Sequence, residues 1–223
     1  MRVEVHEGDL LDAGTDLVVI GLHADEALPA AIAEAPGAAA AKGTFKALSA
    51  AFPEADPRVL VVGLGEREEL SAERLRVAAA LAVKEAARLQ LGSLAWLAPD
   101  SLAPELAAEA IVTGTILGSY RFDRFRGSDP EEPPTRIDGL TVLAPDSAAA
   151  AAETARICAE AQNRARDLQS TPANFATPSF LAARAEEIAA AADSLSAEVL
   201  GREEIVAKGM GGLAAVAQGS AED

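Results

Sequence analysis

The side chains best suited to chemistry are few and scattered. His6 and His23 are the two histidines, and neither has a second histidine or a cysteine at a ligand spacing beside it. A metal site needs several convergent donors, so both are read as structural or surface residues. Glutamate doublets recur at Glu68-Glu69, Glu131-Glu132, Glu186-Glu187 and Glu203-Glu204. Adjacent residues on a helix point in different directions, so these are read as solvated faces, not as acid–base pairs. Gly63-Leu64-Gly65 closes an apolar run and invites comparison with a dinucleotide-binding loop, but Glu68 occupies the place of the third glycine. Glu66, Glu68 and Glu69 would also repel a pyrophosphate, which leaves a structural turn. Tyr120, Arg121, Phe122, Arg124, Phe125 and Arg126 interleave rings and cations in a way that could stack bases. A formal charge of -16 opposes a nucleic-acid partner, so this stretch is read as packing with arginines paired to carboxylates. No Gly-x-Ser-x-Gly turn and no Ser/His/Asp arrangement stands out. The sequence therefore assigns no catalytic, cofactor-binding or metal-binding residue.

The elements that would hold any site are clearer. Arg2 to His6 alternates as a half-buried strand, while Asp16 to Leu22 and Arg58 to Leu64 are continuous apolar runs suited to central strands. Leu75, Val77, Ala78, Leu81, Ala82, Ala86 and Leu89 form a helical stripe, with Ser71 as its cap and Gly92 past its end. Ser93 to Leu97 predicts a strand, Pro104 to Leu117 a helix and Leu140 to Ala144 a further strand. Arg126 to Arg136, rich in Pro, Asp and Glu, predicts an exposed loop. A long amphipathic helix is expected from Ser147 to about Leu168, stopped by Thr171-Pro172. Thr177 then caps a helix begun by Pro178 and ending near Ala192, and a short strand is expected near Ala197 to Leu200.

Strands alternating with helices predict an α/β fold: a mixed, mostly parallel sheet with helices on both faces, followed by an incomplete second α/β domain. The expected divisions are residues 1–145, a connecting helix at 146–170, and 171–223. Half the residues are hydrophobic but only 4% are aromatic, so alanine supplies much of the apolar content. The negative charge argues against anionic membranes, and no apolar run is long and uncharged enough to span a bilayer. The single Cys158 excludes an internal disulfide and suits a reducing cytoplasm. No secretory signal is expected after Met1.

Several separated motifs carry a family resemblance. Asn163-Arg-Ala-Arg-Asp-Leu-Gln-Ser-Thr-Pro-Ala-Asn174, Thr177-Pro178, Gly201 to Gly212 and Gln218-Gly219-Ser220 resemble, in order, the segment that opens the catalytic domain of leucyl (cytosol) aminopeptidases. Val61 to Gly65 and Gly118 to Phe125 resemble that family's amino-terminal domain. The resemblance implies a metal-dependent exopeptidase of the cytoplasm, acting on peptides, assembled as a homo-hexamer and using two divalent cations, manganese or zinc. It also implies that the lysine and carboxylates of the metal site lie beyond Gly219-Ser220. The chain is accordingly expected to be a truncated, non-catalytic part that is inactive alone and holds no cofactor.

Val5 to Leu10, followed by Thr15 to Ile20, further resembles the start of a macro domain, the ADP-ribose-binding fold that the aminopeptidase amino-terminal domain shares. That resemblance implies an adenine contact at Asp9 and a ribose contact after the second strand. Here the latter segment is Gly21-Leu-His-Ala-Asp25, without asparagine. The alternative reading is a stand-alone macro-like module that binds a nucleotide or nucleic acid.

Overall fold

A computed structural model describes residues 1–54, 57–125 and 136–220. In chain order the elements are β1 (Arg2–His6), β2 (Leu17–His23), α1 (Ala30–Ala33), β3 (Leu48–Ala51), β4 (Arg58–Gly65), α2 (Ala72–Arg88), β5 (Ser93–Leu97), α3 (Pro104–Gly118), β6 (Gly139–Leu143), α4 (Ala149–Ser170), α5 (Pro178–Ala190), α6 (Arg202–Ala207) and α7 (Gly211–Ala217). The contacts divide the chain into two compact units, 1–164 and 165–223.

In the first unit the six strands form one sheet in the order β1-β6-β5-β2-β4-β3. All neighbours are parallel except β3, which runs antiparallel to β4 at one edge. The alternation of side chains across the sheet sorts the core into two layers. Leu17, Val19, Leu60, Val62, Leu94, Trp96, Leu140 and Val142 face α2, α3 and the Ala152, Ala155 and Ala159 stripe of α4. Val18, Ile20, Leu22, Val59, Val61 and Ala95 face the opposite way, where Ile32 of α1, Ala38 and the partly buried Leu10, Leu11 and Leu28 cover them. This second cover is made of short helical turns, not of long helices.

Small residues let the long helices approach. A Cβ on Gly114 of α3 would lie 2.3 Å from the Arg76 carbonyl oxygen, and one on Gly118 would lie 2.8 Å from the Ala80 Cα, so α2 and α3 meet backbone to backbone. Ser71 caps α2 as predicted, its hydroxyl accepting from the Arg74 N–H at 3.3 Å. At the amino-terminal edge of the sheet, Asp16 Oδ2 accepts from the backbone N–H groups of Gly92 and Ser93 at 3.0 and 2.9 Å and from the Ser93 hydroxyl at 2.8 Å. That carboxylate ties the start of β2 to the start of β5.

The regular elements of the second unit, among its described residues, are all helices, joined by turns and irregular segments. Thr177 caps α5, accepting from the Phe180 N–H at 3.3 Å, and Arg202 donates to the carbonyls of Ala217 and Ser220 at 3.2 and 2.9 Å. Among the described residues of this unit only Thr171 is buried, and Leu181, Ile188, Leu195, Val206 and Leu213 are exposed.

Several elements differ from the sequence expectations. Ala197 to Leu200 belongs to no strand; the segment is mostly exposed and has no strand to pair with among the described residues, so its backbone turns to solvent. Leu48–Ala51 does form a strand, although it lacks the β-branched and aromatic residues that signal one. The short α1, α6 and α7 were not predicted. The expected loop at 126–136 lies, apart from Arg136, outside the described residues.

Candidate functional site

Polar groups converge at the carboxyl ends of β2, β4 and β5, the end of a parallel sheet where α/β proteins place their sites. A register shift between Leu22 and His23 sets His23 opposite Gly65 in place of Leu64. Such a bulge re-aims the side chain that follows it. His23 is 2% exposed, with Nδ1 3.2 Å from the Gly65 carbonyl oxygen and Nε2 2.9 Å from Ser101 Oγ, in the turn between β5 and α3. A carbonyl oxygen can only accept, so Nδ1 carries the proton, and Nε2 of the neutral ring is left to accept from the serine hydroxyl.

The support behind this pair is backbone. Gly65 has a left-handed φ of 81°, a conformation suited to glycine. Its carbonyl also accepts from the Ala24 N–H at 3.0 Å, and its N–H donates to the Gly43 carbonyl at 2.7 Å. Gly43 and Gly63 are both places of close approach: a Cβ on Gly43 would lie 2.1 Å from the His23 carbonyl oxygen, and one on Gly63 would lie 2.0 Å from that of Thr44. The segment from Lys42 to Lys46 is therefore laid directly on the ends of β2 and β4. The Gly63-Leu64-Gly65 run serves this internal contact.

A charged rim surrounds the pair. Arg67 reaches Asp100 Oδ1 at 2.7 Å and Glu26 Oε1 at 3.7 Å, and Glu26 Oε2 accepts from the His23 backbone N–H at 3.2 Å. The hydrogen bond from Arg67, then its charge, holds the Asp100 carboxyl below the usual carboxylate range. Beyond it, the Arg74 guanidinium stacks 4.9 Å from the Phe45 ring centroid and pairs with Glu69 at 2.6 Å.

The other residues singled out from sequence do not gather here. His6 is exposed at the end of β1, its Nδ1 3.1 Å from the Glu7 carbonyl oxygen, and Asp9 is exposed at the start of a 3-10 turn. Phe122 and Phe125 contact each other with centroids 5.9 Å apart, Arg124 lies 5.3 Å from the Phe125 centroid, and Arg121 pairs with Asp123 at 3.2 Å. Arg126 and the Glu131-Glu132 doublet lie outside the described residues. Glu187 pairs with Arg184, and Glu204 accepts from the Gly201 N–H at 2.9 Å, capping α6. Asn163 donates to the Ile116 carbonyl at 3.1 Å, and the Thr171 hydroxyl to that of Asp167 at 2.7 Å. Among the described residues, no group of three His, Cys, Asp or Glu side chains could hold a metal ion. No helix among them is long and apolar enough to cross a membrane.

Ser101, Arg67 and Asp100 were missed by sequence reasoning. The available signal was their position: Pro99 to Pro104 is the turn leaving the carboxyl end of a predicted strand, where polar residues deserve inspection in any parallel sheet.

A mixed, mostly parallel sheet followed by a helical unit defines an α/β protein, and comparison with known proteins places it further. Residues 24–129 match the profile described as "Cytosol aminopeptidase family, N-terminal domain", and residues 163–223 match "Cytosol aminopeptidase family, catalytic domain". The chain belongs to the cytosol aminopeptidase family. A probable cytosol aminopeptidase of Roseiflexus castenholzii is 38% identical over 232 residues, covering 100% of this chain and 47% of that protein. One from Geotalea uraniireducens is 42% identical over 175 residues, covering 74% of this chain and 34% of the relative. The chain thus spans at most about half the length of these curated relatives. Among solved structures, the bottromycin maturation enzyme BotP has a TM-score of 0.79 at 29% identity, over 94% of this chain and 44% of that one. A further structure of BotP is in complex with Mn. A mutant tomato leucine aminopeptidase shares the fold, with a TM-score of 0.70 at 22% identity over 86% of this chain and 42% of its own.

Proposed function

We propose that this chain supplies the amino-terminal domain and the opening of the catalytic domain of a metal-dependent leucyl aminopeptidase, and that it does not hydrolyse peptides by itself. The match to the catalytic-domain profile carries this reading: it occupies only residues 163–223, and among its described residues Thr171 alone is buried. The residues present there do not fit a pair of divalent cations. Glu204 is engaged in capping α6, Glu198 pairs with Lys208 at 3.2 Å, and the remaining described carboxylates converge on no common point. Accordingly no step of peptide hydrolysis is assigned to a residue of this chain. Manganese or zinc, the peptide substrate and the lysine and carboxylates that act on it belong to the segment that follows in the family. The first unit, in this reading, helps place subunits in a cytoplasmic homo-hexamer.

A nucleotide-binding macro-like role has less support. Gly21 to Asp25, where the distal ribose would be held, lies against the backbone of Lys42 to Lys46, and His23 is already bonded on both ring nitrogens. The test is an aminopeptidase assay with a leucine amide substrate on the purified chain, with manganese and with zinc. No turnover is expected; metal-dependent hydrolysis that co-purifies with the chain would overturn the proposal.

A further inference from the structure

The hydroxyl of Ser101 meets a buried imidazole in the geometry of an activated nucleophile. Nucleophile and base belong within about 2.6–3.2 Å of each other, with the base oriented by a third group. Ser101 Oγ and His23 Nε2 are 2.9 Å apart, and the third group is the Gly65 carbonyl at Nδ1. In serine hydrolases a carboxylate holds the imidazole in the tautomer that can take the serine proton. A fixed carbonyl sets the same tautomer, and this one is locked by the left-handed glycine and by its second bond to Ala24. Ser101 is half-buried at the carboxyl edge of the sheet, whereas His23 is almost wholly enclosed.

We propose that Ser101 is a reactive nucleophile with His23 as its general base, forming a site for neutral or cationic acyl donors. Attack of Oγ on an ester carbonyl would form the Oγ–C bond while the hydroxyl proton passes to Nε2. Collapse of the adduct breaks the bond to the alcohol oxygen, and the proton on Nε2 moves to that leaving group. Water, deprotonated by the same nitrogen, then releases the acid and restores the serine. The choice of donor follows from the rim: Asp25, Glu26 and Asp100 stand around Arg67, and the Arg74 guanidinium beyond them is paired with Glu69, so the rim beside Ser101 carries more negative than positive charge and an anionic donor meets net repulsion.

The experiment is covalent labelling of the full chain with an uncharged fluorophosphonate. Serine attack forms an O–P bond and expels fluoride, and the modified peptide is located by mass spectrometry. The expected adduct is on Ser101, absent in Ser101→Ala and formed about 100-fold more slowly in His23→Gln, the scale of general-base assistance. An anionic fluorophosphonate is expected to react more slowly than the uncharged one. Because His23 is buried, His23→Gln is compared only if its melting temperature is kept; otherwise the urea-unfolded wild-type chain takes its place, and the rate at Ser101 is expected to fall in the same way. A folded wild-type chain unlabelled at Ser101, labelled there no faster than at its other serines, or labelled equally well after unfolding would overturn the proposal and leave the pair as a structural latch.

Discussion

Thr115 is fully buried on α3, and its hydroxyl has no hydrogen-bond partner among the described residues, a condition shared with the Nε1 of Trp96. A buried hydroxyl without a partner forfeits its hydration, at a cost of about 1–3 kcal/mol in proteins. Valine has the same branched shape without the oxygen, so Thr115→Val should stabilise the first unit by about 1 kcal/mol, read as a higher melting temperature. A lower one would mean that the hydroxyl finds a partner in solution. His23 shows the opposite condition, since both ring nitrogens are engaged although the residue is almost wholly enclosed. That contrast marks what was legible of the site. By sequence His23 reads as a structural or surface residue, but the partners that give it chemical potential come from residue 65 on one strand and residue 101 after another. Such convergence depends on strand order and on one bulge, and neither leaves a mark in local spacing.

Helices α2 and α3 show how element-level rules compete. Glycine inside a helix costs about 1 kcal/mol relative to alanine, so Gly114→Ala should favour α3 if propensity alone mattered. The added methyl would sit 2.3 Å from the Arg76 carbonyl oxygen and 2.9 Å from the Ala79 Cβ, which forces the helices apart. Overpacking of this kind costs about 1–3 kcal/mol, and because the obstruction is backbone it cannot be relieved by a rotamer change. The expected outcome is a melting temperature lower by about 2–8 °C. Gly212→Ala on α7, where the methyl meets nothing within 4 Å, should not lower it. The long periodic elements were the ones readable beforehand: β2, β4, α2 and α3 fall within a residue or two of their predicted spans. Their signal is burial on one or both faces, repeated over several turns or pleats. Strand β3 escaped because Leu48, Ser49 and Ala50 carry little of that signal; its place is set by the ladder offered by β4.

Over the whole molecule, protection should be as uneven as the core. Val18, Val19, Val59 and Val62 are fully buried in strands bonded on both sides, while residues 172–220 contribute no fully buried described side chain. Local opening is easiest where few apolar contacts must be broken. Hydrogen exchange is therefore expected to be slow through β2 and β4 and fast from Phe180 to Gln218; slow exchange across both would show that the second unit is independently stable. The strand order also has a consequence in time. Strand β2 finds β4 within some 40 residues, Leu17 meeting Arg58, but among the described residues β1 has only β6 as a neighbour, with Arg2 opposite Gly139. At about 5–20 residues per second on a ribosome, β1 waits on the order of ten seconds for its partner. Throughout that interval the nascent chain carries an orphan strand beside a sheet that is already forming, and the charges of Arg2 and Glu4 are what discourage it from annealing to a neighbouring polysome product.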